Sequence, residues 1–171
     1  KKPLMLLKAL VTLGGGEVRA EQVEDVLWPD AEGDGAHNSF DTTLHRLRKW
    51  IGHPDAFRFG NGVAEMDRKI CWTDVWAFES LIEKAGLEGK QGMLDRTLEF
   101  IEGAVSLYKG TLSPGEVNEP WTVAPRERLR RKFLKCVTWL GRRHEGAGEW
   151  EKAVSCYDRG LEVDDISEEF Y

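Results

Sequence analysis

Apolar residues recur along most of this chain in helical steps, interrupted once by a stretch of alternation. Leu4, Met5, Leu6, Leu7, Ala9, Leu10, Val11 and Leu13 predict a first helix that is apolar nearly all round, so it needs cover on more than one side. Gly14-Gly15-Gly16 ends it. Glu21 to Trp28 predicts a short second helix with Val23, Val26 and Leu27 inward, halted at Trp28-Pro29. A polar loop, Asp30 to Gly35, leads into the most informative stretch, residues 37–51. There Phe40, Leu44, Leu47 and Ile51 recur at steps of four, three and four and stack on one side of a helix. Gly52 supplies its stop.

After Gly52 the period changes. Ala56-Phe57-Arg58-Phe59, Gly60-Asn61-Gly62 and Val63-Ala64-Glu65-Met66 predict a β-hairpin, and Asp67-Arg68-Lys69 turns the chain again into Ile70-Cys71-Trp72. Three helices followed by a small β-ribbon is the order of a winged helix-turn-helix, in which the third helix enters the DNA major groove and the ribbon touches the adjacent backbone. The polar side of the third helix carries Asn38, Thr42, His45, Arg46 and Lys49, types that suit base edges and phosphates. Arg48 lies toward its flank. Arg58, Asn61, Arg68 and Lys69 are the candidate wing contacts, although plain turn chemistry is the first reading of the same four residues. An ordinary amphipathic surface helix is the competing reading of residues 37–51.

From Asp74 onward the periodicity stays helical. Val75, Phe78, Leu81, Ile82 and Ala85 mark one helix, and Leu94, Leu98, Ile101, Val105 and Tyr108 a second. Lys109 to Pro120 reads as a loop. Leu129, Phe133, Cys136, Val137 and Leu140 mark a third helix, and Trp150, Ala153, Val154, Tyr157 and Leu161 a fourth. Gly148 to Leu161 has the spacing of the second helix of a tetratricopeptide repeat. There Ala153 and Gly160 admit a neighbouring helix and Tyr157 fills the groove between them. The expected architecture is mostly α, with a winged helix-turn-helix and small β-ribbon over residues 1–73. A tetratricopeptide-like helical array follows over 74–171.

Composition narrows the function. The 171 residues are 41% hydrophobic and 32% charged with seven Trp, as in a soluble globular protein, and no stretch is long and apolar enough to suggest a membrane span. Cys71, Cys136 and Cys156 are odd in number and form no Cys-x-x-Cys pair, which favours reduced thiols and a cytoplasmic location. His37, His45, His53 and His144 lack metal-ligand spacing, and no phosphate loop, nucleophile elbow or paired-carboxylate motif occurs. No catalysis, metal or cofactor is expected. The net charge of −6 means that any DNA affinity comes from a local patch.

The order of these motifs resembles the bacterial transcriptional activator domain joined to its winged helix, as in SARP-type antibiotic regulators and larger ATPase-linked regulators. The residues that carry the resemblance begin with Leu27-Trp28-Pro29-Asp30, Asn38-Ser39-Phe40 and Leu44-His45-Arg46-Leu47-Arg48-Lys49. They continue through residues 71–79, Leu107-Tyr108-Lys109-Gly110, Trp121, Arg126-Glu127-Arg128-Leu129 and residues 150–161. The resemblance implies sequence-specific binding to double-stranded DNA and activation of transcription. It also implies a helical domain that supports homodimer formation and contacts to proteins such as RNA polymerase. By position it places Thr42 and Arg46 at base edges and Asn38 and Lys49 nearer phosphates. The family's winged helix carries a sheet ahead of its first helix, whereas this chain begins at that helix; such a sheet is the expected cover for Leu4 to Leu13. Arg19 stands where the family has a Ser cap before the second helix, and the helical array looks truncated. The chain thus reads as part of a longer protein.

Two further features stand outside these motifs. Arg126, Arg128, Arg130, Arg131, Lys132, Lys135, Arg142 and Arg143 form the densest basic run, which reads first as a solvated helix face. The acidic tail, Glu162, Asp164, Asp165, Glu168 and Glu169, is a candidate counterpart to it. The alternative function is a tetratricopeptide-type interaction module whose winged helix contacts protein instead of DNA.

Overall fold

The structure, a computed structural model, describes residues 1–14, 17–31 and 34–165. Gly15 and Gly16 of the expected helix stop, part of the Asp30–Gly35 loop, and Glu168 and Glu169 lie outside the described residues. The chain divides into two compact units, Lys1–Thr73 with Leu112–Pro125, and Asp74–Thr111 with Arg126–Tyr171.

The first unit contains α1 (Lys2–Gly14), β1 (Glu17–Arg19), α2 (Ala20–Leu27), α3 (Gly35–Ile51), β2 (Phe57–Gly60) and β3 (Val63–Met66). Its core is made by the apolar faces of the three helices. Leu6, Ala9 and Leu10 of α1, Val23 and Leu27 of α2, and Phe40, Leu44 and Leu47 of α3 are all buried. The periodic set on α3 is truncated by one: Ile51, in its last turn, is exposed. Gly52 adopts the left-handed conformation and its N–H reaches the Arg48 carbonyl, which ends α3. Arg19 makes no side-chain cap to α2.

The ribbon is a three-stranded antiparallel sheet in the order β1-β3-β2, one strand more than the hairpin expected from the pattern. Asn61 and Gly62 both have positive φ, as a two-residue hairpin turn of right-handed strands requires. Val18, Ala64 and Phe59 lie opposite one another across the three strands, and Phe57 pairs with Met66. That face closes on the helices: the Phe59 ring stands 5.1 Å from the Phe40 ring of α3. The other face carries Glu17, Glu65 and Arg58 side by side.

Residues 112–125, read from the sequence mainly as loop, include a 3₁₀ turn, Pro114–Glu116. They join the first unit through Glu116, whose carboxylate takes a hydrogen-bonded ion pair from Lys8 Nζ at 2.7 Å. Thr122 is buried and its hydroxyl donates to the Glu119 carbonyl at 2.8 Å.

The second unit is built from α4 (Asp74–Lys90), α5 (Leu94–Leu107), the part of α6 (Pro120–Gly146) beyond Pro125, and α7 (Trp150–Leu161). Val75, Trp76, Phe78, Ala85, Ile101, Ala104, Leu129, Phe133 and Val137 form its core. Tyr108 lies just past α5, stacked on Phe133 at 4.2 Å and tilted against Phe78 at 5.8 Å. On α7 the burial falls on Ala153 and Gly160, whereas Trp150 and Val154 are exposed. Tyr157 packs so closely on α6 that a Cβ at Gly141 would lie 2.2 Å from its ring. Arg159 donates to the carbonyls of Val105 at 2.7 Å and Tyr108 at 3.3 Å, satisfying acceptors left open where α5 ends.

Candidate nucleic-acid interface

The polar side of α3 exists because its opposite side is committed. Phe40, Thr43, Leu44 and Leu47 are buried, so helical geometry turns Asn38, Thr42, His45, Arg46 and Lys49 outward, and all five are exposed. They follow one another at steps of four, three, one and three and make a continuous strip. Asp41 borders it, exposed as well.

Arg48 has a different place. Its side chain is half-buried and Nε donates to the Phe57 carbonyl at 2.9 Å, tying the last turns of α3 to the first residue of β2. With the Phe40–Phe59 contact, this fixes the strip relative to the sheet. Arg48 thus serves the scaffold of the strip.

The four wing residues do not form one cluster. Asn61 is exposed at the hairpin tip, whereas Arg68 and Lys69 are exposed at the far end of β3. Arg58 is exposed on the outer face of β2 and its guanidinium pairs with the buried carboxylate of Asp67. Asp67 also accepts the Lys69 backbone N–H at 2.8 Å. Asp67 was not singled out from the sequence, although an Asp opening a turn is a recognisable signal. Glu65 lies between Arg58 and Glu17 across the strands, so the outer face of the sheet is mixed in charge.

At the opening turn of α3, His37 Nδ1 lies 3.0 Å from Glu24 of α2, and Nε2 lies 3.8 Å from Asp41. The Glu24 hydrogen bond, more than the smaller influence of Asp41, raises the His37 pKa above the ordinary imidazole value. The strip therefore begins beside a titratable group that favours positive charge.

In the second unit Arg128, Arg130 and Lys132 of the basic run are ion-paired. Glu79 of α4 receives Lys132 at 2.5 Å and Arg128 at 3.5 Å, and Arg130 meets Asp164 at 3.0 Å, one link of the tail-to-ridge pairing raised by the sequence. Cys71, Cys136 and Cys156 are free thiols. Burial raises all three pKa values, that of Cys136 to about 11. Among the described residues, no group of three His, Cys, Asp or Glu could hold a metal ion, and no helix is long and apolar enough to cross a membrane.

Comparison with curated proteins gives no match. Residues 73–171 match the family model described as "Bacterial transcriptional activator domain". That span covers most of the chain and takes in all of α4, α5, α6 and α7. The family is regulatory in character, with a role in activating transcription. On this match, the chain belongs to the bacterial transcriptional activator domain family.

Proposed function

We propose that this chain is a sequence-specific, DNA-binding transcription activator. In this reading α3 enters the major groove, with Thr42 and Arg46 at base edges. Asn38, His45 and Lys49 lie along the phosphates, and Asn61, Arg68 and Lys69 approach the backbone beside the groove. The observation that carries it is the exposed strip on α3, five hydrogen-bonding or cationic side chains on a helix held by Phe40, Leu44, Leu47 and Arg48. A helix so anchored needs no backbone ordering on binding, so only the freedom of its outer side chains is lost. Arg48 and Arg58 support the reading indirectly, by fixing the ribbon that would lie against the backbone. The helical unit then serves homodimer formation and contact with RNA polymerase, through a tetratricopeptide-like array in the cytoplasm.

The test is fluorescence anisotropy against duplex DNA between about 50 and 200 mM salt, a range over which phosphate-dominated binding falls steeply. Arg46→Ala is expected to cost about 1–3 kcal/mol on a cognate site and to relax specificity there, whereas Lys49→Ala weakens all sequences alike. An unchanged ratio of cognate to scrambled affinity in Arg46→Ala would overturn the groove assignment.

A second reading, a protein-interaction module whose winged helix contacts protein, is favoured by one observation. Trp50 at the end of α3 is 63% exposed, and tryptophan is the residue type most enriched at protein-binding hot spots. Salt-insensitive behaviour with no DNA affinity would favour it.

A further inference from the structure

A groove of about 350 Å³ opens in the helical unit among α4, α5 and α6. Its volume lies toward the lower end of small-ligand sites, roughly 300–1,000 Å³, and is too small to seat a helix. Its walls are mainly carbon: Ile82 from α4, Ile101 from α5, and Cys136 with the half-buried Trp139 from α6. It owes its opening to glycine. A Cβ at Gly86 would meet nothing within 4 Å, whereas one turn later a Cβ at Gly89 would touch Thr97 at 3.6 Å. The groove is therefore open over Gly86 and closes toward Gly89.

Its rim is cationic. Lys132 and Lys135 stand three residues apart on α6, on one side of the helix, and both line the groove. Lys132 is partly neutralised by Glu79, which also receives Arg128. Lys135 has no ion-pair partner among the described residues. With Lys132 paired, Lys135 leaves an excess of positive charge beside the apolar cleft.

We infer that this groove binds a small hydrophobic carboxylic acid, with its apolar body over Gly86 and against Trp139 and its carboxylate at Lys132 and Lys135. A neutral apolar molecule would gain nothing from Lys135, and a cation of the same shape would be repelled. Every groove residue belongs to the helical unit, so the inference stands whether or not α3 binds DNA.

The test uses the whole chain, with anilinonaphthalene sulfonate as a fluorescent apolar anion and decanoate as competitor. Saturable dye binding is expected, displaced by decanoate but not by decyltrimethylammonium, which carries the same chain with the opposite charge. Gly86→Leu, which fills the open part of the groove, should weaken dye binding by about tenfold or more, and Lys135→Gln by several-fold. Circular dichroism checks that each variant keeps the helical content of the parent. Absence of dye binding, equal displacement by the ammonium, or undiminished binding in a folded Gly86→Leu protein would each overturn the inference. Should Gly86→Leu fail to fold, Lys135→Gln decides alone, since its side chain is exposed and supports no packing.

Discussion

Gly14, the last residue of α1, lies hard against Val18 of β1, and replacing it with alanine measures how rigid that approach is. A Cβ there would lie 2.1 Å from Cγ2 of Val18 and 3.3 Å from its Cβ. Carbon atoms pack best at about 3.5–4.0 Å, so the overlap with Cγ2 exceeds 1 Å. Turning Val18 about χ1 moves Cγ2 but leaves its Cβ too close. Val18 is only 3% exposed and sits in β1 against Ala64, so retreat means moving a strand. Such overpacking costs about 1–3 kcal/mol, and alanine's helical advantage over glycine, at most about 1 kcal/mol, is diminished at a helix end. Gly14→Ala is therefore expected to destabilise the first unit by about 1–2 kcal/mol, which for a unit of this size lowers its Tm by about 4–8 °C per kcal/mol. Urea unfolding followed by circular dichroism gives the free energy, and Val18→Ala completes a double-mutant cycle. Val18→Ala loses buried methyl groups by itself, yet it removes the atoms with which the added methyl of Gly14→Ala would collide. The double variant should therefore be more stable than the sum of the two changes by about 1 kcal/mol or more, and additivity within about 0.5 kcal/mol would refute the steric argument.

Three other expectations follow from the same geometry. Arg48→Ala removes the 2.9 Å hydrogen bond to Phe57 and leaves that carbonyl unpaired, so it should cost about 1.5–3 kcal/mol in urea unfolding; a smaller loss for Arg46→Ala, whose side chain is exposed, would separate scaffold from surface. His37, raised chiefly by its hydrogen bond to Glu24, should titrate by NMR above 6.5 and fall back toward that value in Glu24→Gln. Because the folded pKa is the higher one, the stability from this pair is complete below pH 6.5 and fades as pH rises through the raised value; a pH profile unaltered by Glu24→Gln would contradict it. Cys136, buried and pushed up to about 11, should resist alkylation at neutral pH in the folded chain and react freely in urea, as mass spectrometry of the three thiols would reveal.

What could be read from the residues alone was whatever local spacing encodes. The inward face of α3 follows from Phe40, Leu44 and Leu47, its end from Gly52, and the hairpin from Asn61-Gly62. Spacing defines a face without saying whether anything packs on it, which is why Ile51, Trp150 and Val154 are exposed at positions that look interior. β1 was invisible for a related reason. It has three residues and one inward side chain, Val18, and only pairing with the distant β3 makes it a strand. The commitments of Arg48 to Phe57, Arg58 to Asp67 and Arg159 to the end of α5 were equally illegible, since an arginine carries no mark of its acceptor. The strip on α3 was recoverable, therefore, but the separation of scaffold arginines from surface ones was not.

The strand order of the ribbon also has a consequence for how the first unit opens. β3 lies between β2, its hairpin partner, and β1, which the chain lays down between α1 and α2. The central strand thus depends for one of its edges on a segment bracketed by helices. Detaching β1 by itself would expose Val18, and peeling the hairpin away would uncover Phe40 beneath Phe59. Neither edge can fray cheaply, so amide protons of β3 exchange mainly when the whole unit unfolds. Glu17 must also wait for Glu65 to be synthesised before the sheet closes, which makes the β1–β3 pairing, unlike the local β2–β3 hairpin, a non-local step in folding.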